Sequence, residues 1–286
     1  MSTAPSDPET TVPPKALVIV EGADAEPRLL RQLASACKLD LEMEIVSVRF
    51  NIHQLYQLLA AADFQADIRK ILAGLPTVPQ EQKAILASTR FAYTYLMYDA
   101  DLQHRYPGEE ALPIEDVVHR NLEKLEKMTA YFTDETDPSV GRLYVNWPMV
   151  ESYRDCDTFF DPTFRDNYVA LADLNSYKAI VGRRKHASLN LSKYDESAFK
   201  SLMRMNIHKI ASFTTSNWTQ PPYSTYLTLS TAASIFRAQQ THITATSTLG
   251  VLNTTLLLPL DYYGELYYEA IRTSFLPTKR TIHHLY

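Results

Sequence analysis

Lys15-Ala-Leu-Val-Ile-Val20, closed by Glu21-Gly22, is the stretch whose reading decides the fold. A short run this apolar and β-branched suits a strand buried on both faces. Gly22 ends the run. Asp24 stands where a helix cap would, with Glu26 and Pro27 in the first turn. Leu29, Leu30, Leu33 and Cys37 then recur at helical spacing. The unit reads as strand, turn, helix.

The same alternation continues outward. Glu44 to Phe50 alternates in character and predicts a second strand, and Asn51 caps a helix running through Leu55, Leu58 and Leu59. A further helix is expected over Ala66 to Leu72. Phe91 to Tyr98 predicts a third strand, with Asp99-Ala100-Asp101 at its end. Ile114, Val117, Val118, Leu122, Leu125 and Met128 trace one face of a long helix. Arg142 to Val145 predicts a fourth strand, leading into Asn146-Trp-Pro-Met-Val-Glu151. Strands alternating with helices imply an α/β fold, a parallel-sheet core with helices on both faces. The organisation expected is a disordered tail over residues 1–14, a core domain over 15–190 and a mostly helical C-terminal region over 191–286.

Composition removes several function classes. The chain has 286 residues with 28 Lys and Arg against 33 Asp and Glu, a net charge of −5, so it is not a polybasic protein. A local basic patch on an acidic body remains open. With only 7 glycines there is no GxxxxGK[ST] and no GxGxxG, which removes the main support for P-loop and dinucleotide-binding readings. Cys37 and Cys156 are too few for a disulfide framework or a cysteine zinc site. There is no HExxH and no GxSxG. The start shows no basic and apolar leader, and the longest nearly apolar stretch, Leu249 to Leu260, is too short to span a bilayer. The expectation is a cytoplasmic protein with no membrane partner, whose sequons at Asn217 and Asn253 carry no glycans. Most of the 18 tyrosines are read as core and interface packing, with stacking on single-stranded bases as the alternative. Tyr262, Tyr263, Tyr267 and Tyr268 suit a helix packing face or a partner surface, which leaves a homo-oligomer open.

Acids stand at three of the predicted strand ends: Glu21, the pair Asp99 and Asp101, and Glu151. In a parallel sheet the carboxyl ends of strands gather on one edge, where ligands bind. Carboxylates brought together there repel unless a cation neutralises them, and hard oxygen donors suit Mg²⁺ or Mn²⁺.

The two motifs Val18-Ile-Val-Glu21-Gly22 and Leu96-Met-Tyr-Asp99-Ala-Asp101, in that order and each closing an apolar strand, resemble the signature of the Toprim domain. The resemblance covers roughly residues 15 to 185. Toprim domains occur in topoisomerases, bacterial primases and OLD-type nucleases. The size of the chain is most similar to the small anti-phage members, such as the Toprim effectors of PARIS and abortive-infection systems, which often act beside an ABC-type or SMC-like ATPase. The resemblance implies a Mg²⁺- or Mn²⁺-dependent nuclease acting on DNA or RNA. It implies Glu21 as general acid/base or metal ligand, Asp99 and Asp101 as metal ligands, Glu151 as part of a second metal site and Asp24 as a further ligand. Lys178 and the run Arg183-Arg184-Lys185-His186 would hold phosphate or stabilise transition-state charge.

Each residue also has an ordinary reading. Glu21 reads as a strand-end acid, Asp24 as a helix cap and Asp99-Ala100-Asp101 as a solvated turn. Glu151 would pair with Arg154 one turn on, and the basic run would be a solvated face. The functional alternative is a non-catalytic scaffold or sensor bound to an ATPase, and convergence of the four acids is what separates the two.

Overall fold

The computed structural model describes residues 12–88, 90–215 and 218–273. The tail read over residues 1–14 lies outside them as far as residue 11, as do the sequon at Asn217 and the pair His283-His284.

The elements in chain order are β1 (Lys15–Val20), α1 (Ala25–Ala36), β2 (Glu42–Ser47), α2 (Ile52–Ala60), α3 (Ile68–Gly74), α4 (Gln80–Ser88), β3 (Tyr93–Asp99), α5 (Ile114–Tyr131), β4 (Thr133–Asp134) and β5 (Gly141–Asn146). Then follow β6 (Tyr168–Ala170), α6 (Tyr177–Val181), α7 (Glu196–Thr215), α8 (Tyr223–Leu229), α9 (Ala232–Thr246), β7 (Thr248–Gly250), α10 (Leu258–Tyr263) and α11 (Glu265–Thr273). The expected α/β core is present. Its five-stranded sheet has the order β2-β1-β3-β5-β4, parallel except for the edge strand β4.

Ala16 through Val20 are wholly buried, because β1 has a strand on each side and helices above and below. From β1 the chain moves to β2 on one side and then returns across β1 to β3 and β5 on the other. Right-handed crossovers therefore put α1 on one face of the sheet and α2 and α5 on the opposite face. Accordingly α1 packs against α7, and α2 against α5.

Boundaries moved where backbone geometry overrode the apolar pattern. The second strand ends at Ser47, not Phe50. Val48 and Arg49 still donate to Val20 O and Glu21 O at 3.0 and 2.9 Å, but Arg49 turns into the left-handed region at φ 58°. Asn51 caps α2 as expected, in a reciprocal box with Gln54. Asp24 precedes α1 but makes no side-chain capping bond and pairs with Arg28 at 3.3 Å. Gly141 opens β5 at φ +86°, where a Cβ would fall 2.7 Å from Leu96 Cδ1, so this turn admits only glycine.

The chain after α9 is sewn to the sheet. β7 pairs with β6, and Trp147 and Leu252 exchange backbone bonds of 2.8 and 2.9 Å. Thr254 donates to Val145 O at 2.8 Å, and Thr255 donates to Asn146 Oδ1 from both N–H and hydroxyl. Asn253 is fully buried. Its amide donates to Val150 O and Ser152 Oγ, and its Oδ1 accepts from Leu256 N. Among the described residues no helix is long and apolar enough to cross a membrane.

Asn253→Ala would strand the Val150 carbonyl and the Leu256 N–H in the interior. The expected loss is about 2–4 kcal/mol in chemical denaturation. A change within about 0.5 kcal/mol, the range of an ordinary surface substitution, would show that these bonds do not hold the segment.

Candidate functional site

The order β2-β1-β3 makes the gap between β1 and β3 a topological switch point, with a crevice outside the carboxyl ends of the strands. Glu21 follows β1, Asp99 ends β3, and Asp101 lies just beyond it. Glu151 follows β5, on a 3₁₀ turn over Val150–Arg154. Lys178 on α6 reaches Glu151 Oε1 at 3.2 Å. Five of the residues read from the sequence thus meet at one edge.

The carboxyls there are poorly satisfied. Glu21 Oε2, Asp99 Oδ1 and Glu151 Oε2 are buried without a hydrogen-bond partner. Burial, then the charges of Asp101 and Glu26, pushes Glu21 up to about 8. Burial raises Asp99 well above the usual carboxylate range, and Glu21, Asp101, Glu26 and Glu151 add to it. Asp101 is raised by burial too, against the pull of Gln103, which donates to its Oδ1 at 3.1 Å, and of His104 and Lys178. For Lys178, burial works against the charge, but Glu151, Asp99 and Asp101 outweigh it and hold the ammonium above its ordinary value.

Several positioning groups have no strong sequence signal. Glu26, buried on α1, accepts from Gly22 N–H at 3.0 Å. A Cβ on Gly22 would stand 2.5 Å from Glu26 Oε2, so a side chain there would displace the Glu26 carboxylate. Asp101 sits at φ 43°, a strained position for a non-glycine residue. His53 holds it there. Burial drops its pKa to about 3, so it is neutral, and its Nε2–H donates to Asp101 O at 2.9 Å and Ala100 O at 3.2 Å. His104 stacks on His53 at 5.3 Å. The only hint in the sequence was that a polar residue falls on the buried face of α2.

One ordinary reading is corrected. Glu151 pairs with Lys178, not with Arg154. Asp24 is exposed, and the leading charges on Glu21, Asp99 and Asp101 do not include it. Arg184 is committed to buried Asp155 at 2.8 Å, which Tyr177 also holds at 2.9 Å. Arg183 and Lys185 are exposed, and the side chain of His186 lies outside the described residues. The basic run is therefore split between a structural pair and solvent.

Among the described residues no three His, Cys, Asp or Glu side chains form a group able to hold a metal ion as they stand. The donor chemistry nevertheless fits a hard divalent cation, since the unpartnered atoms are carboxylate oxygens that repel one another. No family model matches the chain, and neither a curated protein nor a solved structure matches it.

Raised carboxyls bind more protons folded than unfolded between their two pKa values, so stability falls as pH rises through that window. In chelator, the melting temperature should drop from about pH 4.5 to about pH 8, at most roughly 1.4 kcal/mol per pH unit for each group. Asp99→Asn should flatten the decline. A variant that tracks wild type at every pH would place the titration elsewhere.

Proposed function

We propose that the chain is a divalent-metal-dependent nuclease of the Toprim type, hydrolysing phosphodiester bonds in DNA or RNA. The observation that carries this reading is the set of buried, unpartnered, mutually repelling carboxyls at the switch point, with one ammonium beside them. A fold gains no stability from such a set, whereas a site for a cation and a phosphate requires it. The resemblance of the Glu21-Gly22 and Asp99-Ala100-Asp101 motifs supports it independently.

Asp99, Asp101 and Glu151 would hold Mg²⁺ or Mn²⁺. When bound, the ion would supply a nucleophilic hydroxide and stabilise the departing oxygen. Glu21 holds its proton near neutrality and is suited to deliver it to the leaving oxygen. Lys178, two-thirds exposed, would leave Glu151 in part and neutralise the scissile phosphate. A role as effector of a bacterial anti-phage system rests on the resemblance alone.

The second reading, a scaffold or sensor beside an ABC- or SMC-like ATPase, is favoured by one fact: the acids are not preassembled into a ligand set. In the combined form, a partner would hold the site short of its working geometry.

Plasmid DNA and total tRNA, incubated with Mg²⁺ or Mn²⁺, should be cut by wild type. Glu21→Gln and Asp99→Asn should each lower the rate by about 10²-fold or more. Mg²⁺ should raise the melting temperature of wild type and leave that of Asp99→Asn unchanged. Cutting by Asp99→Asn at the wild-type rate would overturn the reading. An ion-dependent melting shift without cutting would move the weight to the partner-held form.

A further inference from the structure

Beside the acids lies a cleft of about 420 Å³. Its walls are the first turn of α1 with Asp24 and Arg28, the turn carrying Glu151, Tyr153 and Arg154, and residues 189–191. It shares Arg28, Asn190 and Leu191 with a second cleft of about 260 Å³, to which Arg31 and Gln32 contribute. Three guanidinium groups therefore line two adjoining clefts, the larger of which Glu151 also lines.

The charges along these clefts are unevenly matched. The acids that line them are both engaged, Asp24 by Arg28 and Glu151 by Lys178. Arg154 lies 5.8 Å over the ring of Tyr153, and its buried Nε makes no hydrogen bond. Arg31 is exposed one turn after Arg28 on the same side of α1. The N-terminus of this twelve-residue helix opens on the same cleft and adds its positive end. A chain with a net charge of −5 thus gathers cations in a trough beside its acidic edge. Guanidinium groups bind phosphate through paired donors.

Tyr153 gives the trough a half-buried aromatic wall. In a duplex the faces of the bases are stacked on one another, and only an unpaired base offers its face to a side chain. We propose that this arginine-lined cleft takes the phosphodiester backbone of a single nucleic-acid strand. Arg31, Arg28 and Arg154 lie along successive phosphates, and Tyr153 lies against a base. The fate of the strand at Glu151 rests on the nuclease reading; its binding does not.

The test is fluorescence anisotropy of the full chain with labelled oligothymidylate and oligouridylate of about twelve nucleotides, within the site size of such grooves. Chelator is present, salt is varied, and a duplex of equal length is the comparison. Wild type should bind a single strand more tightly than the duplex. Arg31→Gln with Arg154→Gln should weaken binding at least about tenfold and flatten the salt dependence by about 0.7 in slope per lost contact. Arg31→Gln alone, on an exposed position, should produce part of both effects with an unchanged melting temperature. No binding by wild type, preference for the duplex, or arginine variants that match wild type would each overturn the proposal. Arginine-dependent binding here, with no cutting when Mg²⁺ or Mn²⁺ is supplied, would keep the cleft and move the nuclease reading to its partner-held form. Cutting that is indifferent to both arginines would keep the nuclease and overturn the cleft.

Discussion

Carboxyl groups of like charge share a buried sheet edge in this protein, and the surrounding structure is what makes that tolerable. A buried charge without a partner costs several kcal/mol, so the group either finds a counter-charge or keeps its proton. Glu21 and Asp99 are raised for that reason, and Lys178 offsets Glu151. The strands beneath must then be rigid and wholly apolar. β1 supplies five residues with no exposed surface, and Leu96, Met97 and Tyr98 of β3 are equally buried. The Ala100 N–H, between the two aspartates, is fixed by Asn146 O at 2.9 Å and Pro148 O at 3.1 Å. The site is thus built into the ladder between β3 and β5.

How much of this could be read from the sequence depended on range. Lys15–Val20 was legible because a doubly buried strand is written as an unbroken apolar run. The Asn51 cap was legible because capping is local. The acids were legible as strand ends, since a parallel sheet brings such ends together whatever lies between them. Choice of partner was not legible. Glu151 had a basic residue one turn away and took Lys178 of α6 instead, while Arg154 lies over the ring of Tyr153. Arg184 looked like surface charge and serves a buried acid. The pattern of Leu249 to Leu260 showed burial but not that Asn253, Thr254 and Thr255 would bond to the end of β5 and the turn after it. Those contacts join residues about a hundred positions apart, which no window of periodicity covers.

Two buried acids away from the edge show what this fold does with a carboxylate that has only a structural task. Asp155 is held by Arg184 Nε at 2.8 Å and by the Tyr177 hydroxyl at 2.9 Å. Asp261 is held by Arg142 Nη2 at 3.0 Å and by the Tyr144 hydroxyl at 2.6 Å. In both, a guanidinium and a phenol converge on the acid, the arrangement by which a buried charge becomes affordable. Tyrosines and arginines are not scarce near the sheet edge. Tyr98 is buried beside Glu21 with its hydroxyl unpartnered, and Arg28 and Arg154 stand in the adjoining cleft. Yet among the described residues no phenol or guanidinium is turned onto Glu21 or Asp99. Asp155 is clamped, and Asp261 is held through one oxygen while burial raises it and its Oδ1 stays unpartnered; Glu21 and Asp99 have no such clamp at all and are raised as well. Stability alone would favour clamping them. The carboxyls at the switch point are therefore better understood as groups kept available for a cation from outside the chain, with Arg31 and Arg154 of the adjoining cleft kept available for an anion.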